Sequence, residues 1–164
     1  MIMKSKILMG GLFLFILTLS TGCIQTKEDA KIDIEKIKAE IQAIEDKFAL
    51  TYNNRDTDSI TYYANDAVSY FNGQLPITGK AAIHQHIKDE LLDLPEGAKI
   101  SFRTLEVYAS DDGNHVAEIG EFRLVDSIGA VLQMGHYFSF FAKRGGRYVC
   151  TRDMANSVDF ENLK

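Results

Sequence analysis

Between Lys99 and Ser157 the chain alternates four runs of strand-forming residues, 99–109, 115–126, 130–143 and 147–157, with three short connections. The connections are Asp111-Asp112-Gly113-Asn114, Asp126-Ser127-Ile128-Gly129 and Arg144-Gly145-Gly146, all of them turn chemistry. Parallel strands need a crossover of a dozen or more residues, so links this short dictate an antiparallel meander. One face of such a sheet must be covered by other elements. The cover has to come from residues before Lys99.

Those residues carry helical spacing. Ile34, Ile37, Ile41, Ile44, Phe48 and Tyr52 recur at threes and fours, the stripe of one helical face, and the pattern stops at Asn53-Asn54. Asp56 has N-cap chemistry and predicts a second helix through Tyr62 and Tyr63. Ala67 to Phe71 predicts a short strand ended by Asn72-Gly73. Thr78-Gly79-Lys80 opens a third helix, with Ile83, Ile87 and Leu91 on its buried side, and Pro95-Glu96-Gly97 breaks the chain. Three helices followed by a meander make an α+β layer pattern.

Four local motifs accompany this order of elements: Asn54-Arg55-Asp56, Tyr63-Ala64-Asn65-Asp66-Ala67-Val68, Ile77-Thr78-Gly79-Lys80-Ala81-Ala82-Ile83 and Gly146-Arg147-Tyr148-Val149. Together they resemble the nuclear-transport-factor-2-like superfamily, which includes SnoaL-like and ketosteroid-isomerase-like proteins. The likeness covers residues 35 to 158. It implies a cone in which three N-terminal helices pack on a curved mixed or antiparallel sheet and enclose a pocket. It also implies homodimers, but no particular activity, because folds of this kind host many functions.

Strand parity indicates which residues line such a pocket. Before the 126–129 turn the even positions Val116, Glu118, Gly120, Phe122 and Leu124 are the more apolar set. A three-residue loop keeps equal parity, so Leu132, Met134, His136, Phe138 and Phe140 are expected inward after it. The tight Gly145-Gly146 turn reverses parity and sends Val149, Thr151, Asp153 and Ala155 inward. Glu118, His136 and Asp153 are then expected to converge, with His136 as a general base between two acids. The aromatic lining is expected from Phe48, Tyr52, Tyr63, Phe71, Phe122, Met134, Phe138 and Phe140, where Met134 joins the rings as an apolar filler. His84 and His86 are expected to face solvent. Cys150, Phe141, Tyr148 and Met154 are expected to form an apolar strip on the outer face, suited to a homodimer.

The resemblance also implies where an isomerase would keep its groups, a carboxylate base and an oxyanion hole of a tyrosine and a protonated acid. Carried over by motif, those positions are Phe48, Phe71 and Phe138, none of which exchanges a proton. Tyr70 and Tyr137 stand one residue away from two of them and are expected to point outward.

The N-terminus bears on location. Lys4 and Lys6 precede an uncharged apolar run from Ile7 to Leu19, and Leu19-Ser20-Thr21-Gly22-Cys23 resembles a lipobox. The run is shorter than the ~20 apolar residues that span a bilayer. Residues 1–22 are read as a lipoprotein signal peptide, Cys23 as the lipidated residue, 23–30 as a tether and 31–164 as a single domain. Loss of the signal takes two of the 18 basic residues and none of the 23 acidic ones, leaving a net charge of −7. Such a surface argues against nucleic acid as a partner. With Cys23 lipidated, Cys150 has no intrachain disulfide partner. No metal-ligand spacing and no phosphate-cradling glycine loop is present, so neither metal nor cofactor is expected. These features predict a membrane-anchored domain on the extracytoplasmic side of the cell envelope, binding a small hydrophobic molecule. The alternative is a SnoaL-like cyclase, dehydratase or hydrolase using His136.

Overall fold

The computed structural model describes residues 32–158; the signal segment, Cys23 and the tether lie outside them. Helix α1 runs Ile34–Asn53, a 3-10 turn occupies Thr57–Ser59, and β1 (Tyr63–Tyr70) and β2 (Ile77–Thr78) precede α2 (Lys80–Asp93). The meander follows as β3 (Lys99–Ala109), β4 (His115–Val125), β5 (Val131–Arg144) and β6 (Arg147–Ser157). All six strands form one mixed sheet in the order β2-β1-β6-β5-β4-β3. Only β1 and β6 pair in parallel.

Asp33 caps α1 by accepting a hydrogen bond from the Lys36 amide at 3.0 Å. The helix lies along the edge strand β3 and covers part of its backbone. Gln42 donates to the Phe102 carbonyl at 3.1 Å and accepts from the Thr104 amide at 2.8 Å. Asn53 makes the same two-way bond to Ile100, at 2.9 and 2.8 Å. Side-chain amides thus stand in for a neighbouring strand and blunt an edge that would otherwise pair with another chain. At its C-terminus α1 closes with Arg55 in the left-handed region, φ 56°, and with paired bonds from Arg55 N to Tyr52 O and Asp56 N to Thr51 O. The Arg55 guanidinium then donates to the Leu91 carbonyl in the last turn of α2 and to the Leu94 and Pro95 carbonyls just beyond it.

The expected second helix is absent. Asp56 makes no side-chain cap, a single 3-10 turn follows, and Ile60 is already extended. Ile60-Thr61-Tyr62-Tyr63 is rich in β-branched and aromatic residues, which favour extended backbone. Tyr62 O accepts from the Cys150 amide at 2.9 Å, so this stretch joins the sheet instead. The N-terminal cover is therefore two helices, and β1 begins at Tyr63, four residues before the expected start.

The four long strands fall where the sequence puts them, to within one residue, but the facing of β5 does not. At the turn Val125 pairs Val131, which is equal parity, yet the next partners are Leu124 and Gln133. Leu132 is an extra residue in the ladder. A slip of one residue sends every later side chain to the other face. Gly135, Tyr137, Ser139 and Phe141 therefore point into the core, whereas Leu132, Met134, His136 and Phe138 are exposed on the outer face. A second bulge at Thr151 separates the Phe141–Cys150 pair from the Phe140–Arg152 pair. Phe141, Tyr148 and Cys150 are consequently core residues rather than an outer strip; of that group only Met154 is exposed, at 51%.

Candidate functional site

A cavity of about 490 Å3 lies between α1, α2 and the inner face of the sheet. Its mouth is framed by Asn72 and Gln74 after β1, Asp93 and Leu94 at the C-terminus of α2, and Leu124 and Gln133 beside the β4–β5 turn. Ile32 lies against Gly113, at the opposite end of β4. The walls are aromatic. Phe48 stacks on Tyr62 with centroids 4.7 Å apart and on Phe102 at 5.5 Å, while Tyr63 meets Tyr62 edge-on at 4.9 Å. Tyr52, Phe71 and Phe122 complete the lining.

The cavity floor is acidic. Glu45 occupies the apolar stripe of α1 one turn beyond Ile41 and is 1% exposed; Glu118 projects from β4 and is fully buried. Glu118 Oε1 accepts from Thr104 Oγ1 at 2.6 Å and from Tyr137 OH at 3.0 Å. Its Oε2 has no hydrogen-bond partner. Glu45 Oε1 in turn accepts from Tyr62 OH at 2.6 Å, and Tyr62 lies 2.9 Å from Ser139 Oγ. Burial, and next the neighbouring Glu118 charge, push the Glu45 carboxyl well above the usual range. Burial raises Glu118 as well, while its hydroxyl donors pull the other way. Two neighbouring buried carboxyls cannot both ionise cheaply, which favours one proton shared between them.

Gly120 makes this arrangement possible. The Tyr137 ring crosses directly over it, and a Cβ there would come within 2.1 Å of the ring. Burial raises the Tyr137, Tyr62 and Tyr63 hydroxyls, so all three act as neutral donors. Asp153 enters from β6, opposite Ser139. Its Oδ2 accepts from Tyr63 OH at 2.9 Å, whereas its Oδ1 has no hydrogen-bond partner. Burial raises this carboxyl, offset by the Ser69 and Tyr63 hydroxyls.

The structure brings together Glu118 and Asp153 but not His136. His136 sits opposite Glu121 on the outer face, exposed, as the Leu132 bulge requires. A base centred on His136 between the two acids is thereby ruled out. Of the expected lining, Phe48, Tyr52, Tyr63, Phe71 and Phe122 border the cavity; Met134, Phe138 and Phe140 turn away from it for the same reason. Tyr137 points inward instead, so the third isomerase-like position is flanked by a buried hydroxyl and not by phenylalanine alone. Asp153 reached the interior through two slips that cancel, the bulge at Leu132 and the bulge at Thr151. Glu45 escaped the sequence reading altogether. Its signal was there: the i+4 step from Ile37 to Ile41 continues to Glu45, an acid on the buried stripe. His84 and His86 are half-buried, and His86 packs against Phe71 at 4.2 Å. Among the described residues no group of side chains has the makings of a metal site.

A second cavity, of about 550 Å3, lies beyond the wall formed by Phe48, Tyr62 and Tyr63. It carries Lys47, Lys80, Arg144 and Arg147 against Glu40.

Neither a family model nor a curated protein matches the sequence. Solved structures do match the fold. A protein of unknown function with a cystatin-like fold from Nostoc punctiforme superposes with a TM-score of 0.65 at 12% identity, covering 77% of this chain and 95% of its own. A nuclear-transport-factor-2-like protein of unknown function from Shewanella oneidensis gives 0.61 at 17% identity, covering 71% and 96%. A ketosteroid isomerase-like protein from Erwinia carotovora atroseptica gives 0.55 at 15%, covering 74% and 96%. The fold is that of the nuclear-transport-factor-2-like superfamily.

Proposed function

We propose that this protein is a membrane-tethered, extracytoplasmic binding module, lipidated at Cys23, whose cone pocket holds one small and largely aromatic or apolar molecule. The observation that carries this reading is the cavity of about 490 Å3 walled by Phe48, Tyr52, Tyr62, Tyr63, Phe102 and Phe122. That volume and that lining are typical of small-molecule sites. On the floor, tyrosine, serine and threonine hydroxyls hold Glu45, Glu118 and Asp153 in place while Asp153 Oδ1 is left without a partner, which suits a preformed site that fixes orientation.

Two further features belong to this reading. The outer face of the sheet carries Leu132, Met134, Phe138 and Met154, each between 39% and 51% exposed, and suits a second copy of this chain. Light scattering should then give twice the chain mass, and Phe138→Lys should halve it. Cys23→Ser should abolish lipid labelling and release the protein from membranes.

The pocket is tested by mass spectrometry of organic extracts of the purified full chain, with thermal shift across a library of aromatic compounds. A stoichiometric co-purified molecule, or a saturable shift lost in Phe48→Ala, supports the reading. No bound molecule and no shift with any compound contradicts it. A catalytic version rests on Asp153 Oδ1 in place of His136; its mark is a turnover that Asp153→Asn abolishes while binding persists.

A further inference from the structure

The lining of the aromatic cavity is one-signed. Glu45, Glu90, Asp93 and Asp153 border it, Glu118 stands directly behind Glu45, and no lysine, arginine or histidine is among the lining residues. The chain does not lack cations nearby, since four of them line the cavity on the other side of the Phe48–Tyr62–Tyr63 wall. They are segregated from this one.

A cluster of acids alone proves little, because carboxylates often sit in water. Two independent features distinguish this cluster. First, its inner carboxyls, Glu45, Glu118 and Asp153, are withdrawn from solvent and make no ion pair with a lysine, arginine or histidine among the described residues. Glu118 is fully buried, and neither its Oε2 nor Asp153 Oδ1 has a hydrogen-bond partner. Tyr63 OH donates to Asp153 Oδ2 at 2.9 Å, and the Ser69 and Tyr63 hydroxyls hold this carboxyl down against the effect of burial. A carboxylate shut away from water costs several kcal/mol unless a charge or strong donors answer it, and two hydroxyls answer it in part. Second, the walls beside it are aromatic rings. Tyr62, Tyr63, Phe48 and Phe102 present rings around the space in front of the acids. Ring faces attract cations and repel anions.

These features select by charge. A low-dielectric cleft lined with one sign concentrates ligands of the opposite sign and excludes its own. We infer that the cavity recognises an organic cation, a protonated amine on an aromatic or apolar body, with the ammonium drawn toward Asp153 and the body against the Phe48–Tyr62–Phe102 stack. The inference rests on the binding reading above and names the class of ligand for that same site. Asp153 fixes the charge preference and the rings supply contact area. Glu90 and Asp93 extend the same sign to the mouth.

Three compounds with one ring system separate the possibilities: tryptamine (cationic), tryptophol (neutral) and indole-3-propionate (anionic). Titration calorimetry on the full chain in nanodiscs of zwitterionic phosphatidylcholine, with empty discs as reference, gives each affinity at pH 7. The expected order is tryptamine at least tenfold tighter than tryptophol, with indole-3-propionate weakest. Asp153→Asn, which keeps shape and hydrogen bonding, should bring tryptamine to within about twofold of tryptophol and leave tryptophol unchanged. Equal binding of tryptamine and tryptophol by the unaltered chain overturns the cation inference while the pocket reading stands. Tighter binding of indole-3-propionate, or an undiminished preference for tryptamine in Asp153→Asn, overturns it as well. If Asp153→Asn fails to fold, Glu90→Gln with Asp93→Asn at the mouth must still weaken tryptamine selectively. Should none of the three bind and the wider aromatic library also fail, both readings fall together.

Discussion

Glu118 and Glu121 stand three residues apart on β4 and face opposite sides of the sheet. Glu121 is on the outer face, 2.8 Å from the Arg103 guanidinium, which holds its carboxyl below the usual range. Glu118 is fully buried, has hydroxyl donors and another carboxyl for company, and is pushed the other way by burial. Nothing about the residue type differs. The difference is the medium: outside, a screened pair that adds little to stability; inside, a network in which each removed partner leaves a buried polar group stranded. The inner acids belong to the cavity, and the outer one belongs to the surface.

The contrast can be broken, first, at Glu118. Glu118→Ala strands Glu45 and the hydroxyls of Thr104 and Tyr137, and should cost about 3 kcal/mol in urea denaturation. Next comes Gly120→Ala, whose methyl group collides with the Tyr137 ring; about 2 kcal/mol should be lost through overpacking. The pH dependence has a definite sign. Glu45 is raised when folded, so above its ordinary value of 4.5 the folded chain holds a proton the unfolded chain has released. Its contribution is full below pH 4.5 and is lost as pH rises toward the folded value. Each unit of that elevation is worth ~1.4 kcal/mol. Glu45→Gln carries the donor permanently, so its stability should vary less between pH 5 and 8 and exceed that of the unaltered chain at pH 8. On the outer face, Arg103→Ala should leave the urea midpoint unchanged within error.

How much of this was legible in the sequence follows the range of the forces involved. The boundaries of the four long strands are local, set by turn chemistry at Asp111-Asp112-Gly113-Asn114 and at Gly145-Gly146, and they lie in the sequence to within a residue; β1 began four residues early and β2 was not foreseen. The Ile83–Ile87–Leu91 face of α2 was equally local. Facing was not, because it depends on where the ladder slips. No residue at Leu132 or Thr151 announces a bulge, and each moves everything beyond it. His136, Met134, Phe138 and Phe140 were misdirected by the first slip. Asp153 came inside because the second slip undid the first. Cys150, lying between the turn and the second bulge, carried the error uncorrected. The missing second helix has a different cause, since the cap at Asp56 was outweighed by the extended preference of Ile60-Thr61-Tyr62-Tyr63 and their pairing with β6. Glu45 was readable, and an apolar stripe that contains an acid is the pattern to look for.

The most direct test of the proton-sharing floor is a carbon-13 NMR titration of the glutamate side-chain carboxyls from pH 3 to 8. Glu45 should remain protonated at pH values where ordinary glutamates have ionised, and Glu121 should titrate below its ordinary value. Glu45 ionising together with the exposed glutamates would contradict the account.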